Sequence, residues 1–366
     1  MVKQAPVLRP PAEVIHADEL ARLSESDSGP RPKGWSLSPK AVRRFLLGDA
    51  KLKVQRKFYG DDALVERAIV DLLGDQGLML VGEPGTAKSM LSELLAAAIS
   101  GRSNLTVQGS AGTTEDHIRY GWNYALLLAE GPSERALVSS PVFEAMRLGR
   151  IVRIEEITRC PPEIQDTLIS ILSEKVIAIP ELGEDRAVFA APGFNVIATA
   201  NLRDRGVHEM SSALKRRFNF ETVKPIADPA LERELISSQL GGRLARGDVR
   251  AEMPDEVLEL LVATFQDLRS GKTRDGAPVP KPDAVMSTAE AVNVAHAAAM
   301  DAIYFGEGQV SGAHVARQLT GVVLKDNAED ARKLGAYVDH VVKERSRKSK
   351  AWKEMMTALK AQKNEP

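Results

Sequence analysis

Gly82-Glu83-Pro84-Gly85-Thr86-Ala87-Lys88-Ser89 decides how the rest of this chain is read. Before it, Leu78-Met79-Leu80-Val81 predicts a short buried strand. After it, Met90-Leu91-Ser92-Glu93-Leu94-Leu95-Ala96-Ala97-Ala98-Ile99 predicts a helix. Strand, glycine-rich turn and helix form the setting of a phosphate-binding loop. The N–H groups of the turn and of the helix N-terminus converge on one point, where the helix dipole favours an anion. Residues Gly82 to Met90 are then the phosphate-contacting set. Lys88 would reach the β- and γ-phosphates, and the Ser89 hydroxyl would ligate Mg²⁺. Ala87 stands where the general motif has glycine, and a positive φ would strain it. The plain alternative is a Gly/Pro turn between a strand and a helix.

The chain has 366 residues, room for two or three domains. A hydrophobic fraction of 43% with 27% charged residues fits a soluble globular protein. Lys plus Arg is 49 and Asp plus Glu is 50, so a net charge of -1 gives no overall electrostatic case for nucleic acid. Cys160 is the only cysteine, which excludes an intrachain disulfide. No signal-peptide core and no membrane-length apolar run is visible, so a cytoplasmic protein without a membrane span is expected.

Outward from the loop, composition divides the chain. Residues 1–37 mix Pro, Ser and charge and predict a mobile arm with one short helix over 12–23. Residues 38–226 read as an α/β domain, opened by Ser38 as an N-cap with Pro39 in the first turn. Strands are expected over 105–107, 151–154, 195–201 and 220–223, and helices over 141–148 and 162–174. Tyr120-Gly121-Trp122-Asn123-Tyr124 predicts a hairpin or loop edge, its aromatics packing on the domain or touching a substrate. Residues 176–190 predict a hairpin. Residues 227–325 read as all-helical, and 326–366 as a solvated basic helical tail carrying Trp352, Met355 and Met356.

Glu155-Glu156 follows the strand Ile151-Val152-Arg153-Ile154, at the edge where parallel α/β sheets gather their chemistry. One carboxylate there can hold Mg²⁺ through water, and the other can orient or deprotonate an attacking water. Nearby Cys160 reads as a small buried thiol. Asn201 ends a strand expected beside this pair, either to hydrogen-bond the attacking water or γ-phosphate, or as a turn residue. Arg216 and Arg217 close a short helix, where the dipole alone favours cations.

In order and spacing these pieces resemble the AAA+ ATPases, and within them the MoxR family of the helix-2-insert class. Glu155-Glu156-Ile157-Thr158-Arg159-Cys160-Pro161-Pro162 resembles that family's Asp-Glu-Ile-Asn-Arg-Ala-Pro-Pro segment, and Ala before the loop lysine is normal there. Ile197-Ala198-Thr199-Ala200-Asn201 is similar to its sensor-1 strand, and Ala213-Leu214-Lys215-Arg216-Arg217-Phe218 to the segment bearing its arginine finger. Arg217 is favoured over Arg216, because it directly precedes Phe218. The resemblance spans residues 58–319. It implies a five-stranded parallel sheet flanked by helices, followed by a helical lid. It implies ATP with Mg²⁺ as cofactors, Glu156 as the residue that activates water, and Ser89 with Glu155 at the metal. It also implies an insert within 113–140 and the 176–190 hairpin pointing at a central pore. Relatives form hexameric rings that remodel a protein client, often beside a partner with a von Willebrand factor A domain. Two positions depart from the pattern: Glu155 replaces the metal-associated Asp, and Ala289 stands where a sensor-2 Arg is expected. The competing functions are a nucleic-acid motor and a nucleotide-switched scaffold with little turnover.

Overall fold

The computed structural model describes residues 7–201, 207–324 and 327–363. The chain divides into two compact units, one ending at Val223 and the other starting at Lys224, with Pro84–Thr86 grouped with the second.

Among the described residues the first unit carries nine strands: β1 (Gly77–Val81), β2 (Thr106–Gln108), β3 (Tyr120–Trp122), β4 (Leu137–Ser139), β5 (Ile151–Glu155), β6 (Val176–Ala178), β7 (Ala187–Phe189), β8 (Asn195–Ala200) and β9 (Phe218–Thr222). Five of them form one sheet in the order β2-β5-β8-β1-β9. Every pairing in that sheet is parallel, as in Leu78↔Ile197, Met79↔Phe220, Val107↔Ile154 and Ile154↔Ala198. β1, β5 and β8 are buried at every position, and their sequences are mostly apolar without the alternation of a half-exposed strand. The pleat sorts their side chains into two layers. Leu78 and Leu80 join Leu91 and Leu95 on one face, whereas Met79 and Val81 join Val152, Ile154 and Leu168 on the other. β1 lies between β8 and β9 while the chain runs outward to β2 and back, which makes the carboxyl end of β1 a topological switch point.

Two antiparallel pairs complete this unit. β3 pairs with β4 around the Tyr124–Glu130 helix, and β6 with β7. The Tyr120 hydroxyl donates to Glu181 at 2.7 Å and ties the pairs together. Trp122 packs edge-on against Tyr120, so packing accounts for it, while Tyr124 is 70% exposed.

The expected mobile arm is corrected by its packing. Residues 1–6 lie outside the described residues, but Ala17–Ser26 is a helix, and Ala12, Leu23, Trp35 and Leu37 are buried in the core beneath the sheet. Its charges have fixed partners: Glu13 accepts from the Ser103 N–H and hydroxyl, and Asp27 from the Ser38 N–H at 2.7 Å. Ser38 caps the next helix as expected, accepting from Ala41 N at 3.3 Å.

The second unit is helical: Pro229–Arg246, Asp255–Ser270, Thr288–Phe305, Gly312–Val323, Ala328–Tyr337 and, after a π turn at Val338–Val342, Lys343–Arg345 and Lys350–Lys363. The solvated tail is also corrected. Tyr337, Val342, Trp352 and Met355 are buried in the same core as Leu261, Phe265 and Ala298. The buried Tyr337 hydroxyl donates to Asp267 at 3.0 Å, and Arg345 pairs with Asp267 at 2.8 Å while stacking on Trp352. At Gly312 a Cβ would lie 1.9 Å from the Ala351 carbonyl oxygen, so only glycine admits the last helix so closely. The second unit includes the described residues on both sides of the expected 325/326 boundary. Among the described residues, no helix is long and apolar enough to cross a membrane.

Candidate functional site

The loop after β1 leads straight into the Lys88–Ser100 helix, with Ala87 as its N-cap at φ 68° and ψ 22°. Gly85 also has positive φ, at 75°. Ala87 supplies no side-chain acceptor to the helix N-terminus. First-turn N–H groups have no intrahelical partner, so this terminus suits an anion. Glu83, Pro84 and Thr86 are half-buried in the loop, and Met90 packs against the apolar core beneath it. The Lys88 side chain is buried and folds over the loop. Its Nζ donates to the Gly82 carbonyl at 3.1 Å, the Glu83 carbonyl at 2.8 Å and Asn201 Oδ1 at 2.6 Å.

β5 and β8 deliver the acidic pair and Asn201 to this point. Glu155 is only 5% exposed. Its Oε2 accepts from the Ser89 hydroxyl at 2.6 Å and from Thr199 at 2.8 Å. Its Oε1 meets the Ser92 hydroxyl at 2.7 Å and Arg153 Nη2 at 2.7 Å. Burial opposes ionisation of Glu155, but the Ser89 hydrogen bond, the Arg153 charge and the Ser92 and Thr199 hydroxyls hold its carboxyl below the usual range.

Glu156 differs in every respect. Its backbone is left-handed, φ 56° and ψ 47°, and its N–H donates to Thr199 Oγ1 at 3.0 Å. Its Oε1 accepts from Asn201 Nδ2 at 2.7 Å. Its Oε2 is buried without a hydrogen bond among the described residues, and Arg159 Nε is 3.5 Å away. Asn201 therefore bridges lysine and glutamate: one end of its amide accepts from Lys88 and the other donates to Glu156. A strand-end turn residue needs neither contact.

Arg216 and Arg217 lie at the end of the Ser212–Lys215 helix, outside this cluster. Arg217 donates to Ser173 Oγ and, at 2.6 Å, to the Ala213 carbonyl. Arg216 is exposed. Cys160 is buried, and burial pushes its thiol above the ordinary range, which suits a packing role. Sequence reading did not single out Arg153, Ser92 or Thr199. The available signals were periodic: Arg153 shares a strand face with Glu155 two residues on, and Ser92 lies one helical turn after Ser89.

Residues 77–218 match the model of the AAA domain of the dynein-related subfamily, and residues 230–362 that of the YehL-like AAA+ ATPase C-terminal domain. The uncharacterized protein YehL of Escherichia coli (strain K12) is 53% identical over 335 residues, covering 91% of this chain and 92% of that protein. An uncharacterized protein of Staphylococcus aureus (strain USA300) is 33% identical over 205 residues, 56% of this chain and 72% of that protein. Among solved structures, NtrX from Brucella abortus in complex with ADP superposes with a TM-score of 0.50 at 12% identity. That likeness of fold covers 81% of this chain and 62% of the NtrX chain, so this chain spans less than two thirds of its length. This chain belongs to the AAA+ ATPases, in the family of the Escherichia coli protein YehL.

Proposed function

We propose that this chain hydrolyses ATP as a MoxR-type AAA+ remodeller of the helix-2-insert class: a cytoplasmic protein that assembles into a ring, hexameric in its relatives, and reshapes a protein client beside a von Willebrand factor A domain partner. The observation that carries the chemical reading is the Lys88–Asn201–Glu156 bridge beside the Ser89–Glu155 contact. The residues fit a magnesium-bound nucleotide. Lys88 and the uncapped helix N-terminus offer positive charge, while Glu156 Oε2 accepts no hydrogen bond among the described residues and has Arg159 as its ion-pair partner. Lys88 and the loop N–H groups would hold the β- and γ-phosphates, and Ser89 and Glu155 would hold Mg²⁺. Bound there, Mg²⁺ supplies neutralising charge to the phosphate oxygens. Asn201 fixes one oxygen of Glu156 and leaves the other to accept a proton from an attacking water.

The remodelling reading draws on the insert and hairpin. Tyr124, Leu128 and Phe189 are 70%, 89% and 72% exposed, as apolar side chains would be that meet an unfolded client rather than a nucleic-acid backbone. The unit from Lys224 onward serves as the lid domain. Ala289 favours a second reading, the nucleotide-switched scaffold with little turnover, because no guanidinium stands at that position.

In a ring, Arg217, with Arg216 as the alternative, would act on the neighbouring subunit's nucleotide, an effect worth about 10³–10⁵ in rate. The test is phosphate release as a function of protein concentration, with mixing of variants. Turnover per subunit is expected to rise as rings form. Arg217→Ala subunits, which keep the loop, should regain turnover beside Lys88→Ala subunits, which keep the arginine. Full turnover by a strict monomer, or no recovery in mixed rings, contradicts the trans role. Absence of steady-state phosphate release at every concentration leaves the scaffold.

A further inference from the structure

Arg153 is a charged residue in the middle of β5, a strand buried at all five positions. It is 8% exposed, with Thr106 of β2 and Ile197 of β8 as its register partners. A guanidinium has five N–H donors, and here each has an acceptor. Nε donates to Ser92 Oγ at 2.9 Å. Nη1 donates to the Ser103 carbonyl at 3.0 Å and Thr106 Oγ1 at 3.4 Å, and Nη2 to the Ser89 carbonyl at 3.1 Å and Glu155 Oε1 at 2.7 Å. The charge it pairs with is Glu155.

A buried ion pair is an expensive way to fill a core, since an apolar side chain of similar volume serves stability as well or better. The location of this pair points to another use. Arg153 lies two residues before Glu155 on the same strand face, and it also grips Ser89 and Ser92, on the first and second turns of the loop helix. It therefore acts on the carboxylate and on the segment that carries the hydroxyl ligand.

We propose that Arg153 is a positioning residue for the metal side of the site. It occupies Glu155 Oε1, fixes the carboxylate in one orientation and neutralises it, so that only Oε2, on the Ser89 side, acts on Mg²⁺. Metal then adds less to nucleotide affinity than it would beside an unpaired Glu155 carboxylate. The inference rests on reading the loop as an ATP site.

The test is calorimetric titration of the full chain with the non-hydrolysed analogue AMP-PNP, in Mg²⁺ and in EDTA at one pH. The quantity read is the ratio of the two dissociation constants. Replacing Arg153 with Met leaves a buried carboxylate that a cation relieves, so the ratio should rise by about tenfold, ~1.4 kcal/mol. Arg153→Lys, which keeps the charge without the fork, should fall between. In a Glu155→Gln background, where the carboxylate that Arg153 positions is gone, adding Arg153→Met should move the ratio by less than about threefold. A merely structural Arg153 would lower stability and both affinities together and leave the ratio unmoved. A folded Arg153→Met with the wild-type ratio overturns the proposal, as does an Arg153→Met that moves the ratio equally with and without Glu155→Gln. If Arg153→Met does not fold, Arg153→Lys, with and without Glu155→Gln, decides alone. Failure of the wild type to bind nucleotide in either buffer overturns the ATP site itself, and this inference with it.

Discussion

Glu155 and Glu156 are neighbours in sequence and opposites in environment. On the Glu155 side, both carboxylate oxygens are engaged by Ser89, Ser92, Arg153 and Thr199, and the backbone continues a regular strand. On the Glu156 side, one oxygen is held by Asn201, the other accepts no hydrogen bond among the described residues, and the backbone is left-handed. A left-handed non-glycine residue costs about 1–3 kcal/mol and persists only where its surroundings over-determine it. Here they do: the Glu156 N–H is tied to Thr199, whose hydroxyl also serves Glu155. The contrast teaches that one side is built to keep its geometry, while the other has an oxygen held by an ion pair with Arg159 and by no hydrogen bond among the described residues. Holding a cation needs the first property, and moving a proton needs the second.

The largest expected effect removes the group that spans both sides of the loop. Lys88→Ala deletes the donor to Gly82, Glu83 and Asn201 and the charge beside the anion site. AMP-PNP affinity should fall by about hundredfold or more, measured by calorimetry. An unchanged dissociation constant would break the comparison at its root, because neither side would then face a phosphate.

Asn201→Ala attacks only the Glu156 side. Turnover should fall by about 10², the usual loss for one preorganised donor, with the nucleotide dissociation constant within about threefold. If thermal stability falls in step with turnover, Asn201 is a strand-end structural residue and the two sides differ less than proposed.

A smaller effect sharpens the role of strain. Ala87 holds φ 68° at the N-cap of the loop helix, a conformation that glycine adopts freely. Ala87→Gly should stabilise the first unit by ~1 kcal/mol with binding retained. A fall in the unfolding midpoint would mean that the alanine methyl makes contacts worth more than the strain it carries.

Much of this contrast was legible in the sequence. β1, β5 and β8 are covered on both faces, so their apolar runs stand out, and the loop, Glu155-Glu156 and Asn201 lie at strand ends where such runs stop. What was not legible depends on partners distant in sequence. Glu13 with Ser103 and Arg345 with Asp267 and Trp352 leave no periodic trace, so charge-rich ends that pack firmly read as solvated. The same holds for Arg153, a charge set among the apolar residues of β5, whose meaning needed Ser89, Ser92 and Ser103 placed around it. The helical unit was legible as helices, but its extent through Leu359 was not, because a basic tail and a core helix differ only in what covers their apolar stripe.

The central claim is that Glu156 handles the water while its neighbour keeps the metal side in place. The most direct test compares steady-state phosphate release by the wild type and Glu156→Gln at matched, calorimetrically measured ATP occupancy. The amide keeps the shape and the Asn201 contact but cannot take a proton. Turnover is predicted to fall by about 10²–10⁴ while ATP binding is retained. Normal turnover by Glu156→Gln, with Glu155→Gln inactive at the same occupancy, would contradict the claim and reverse the two roles.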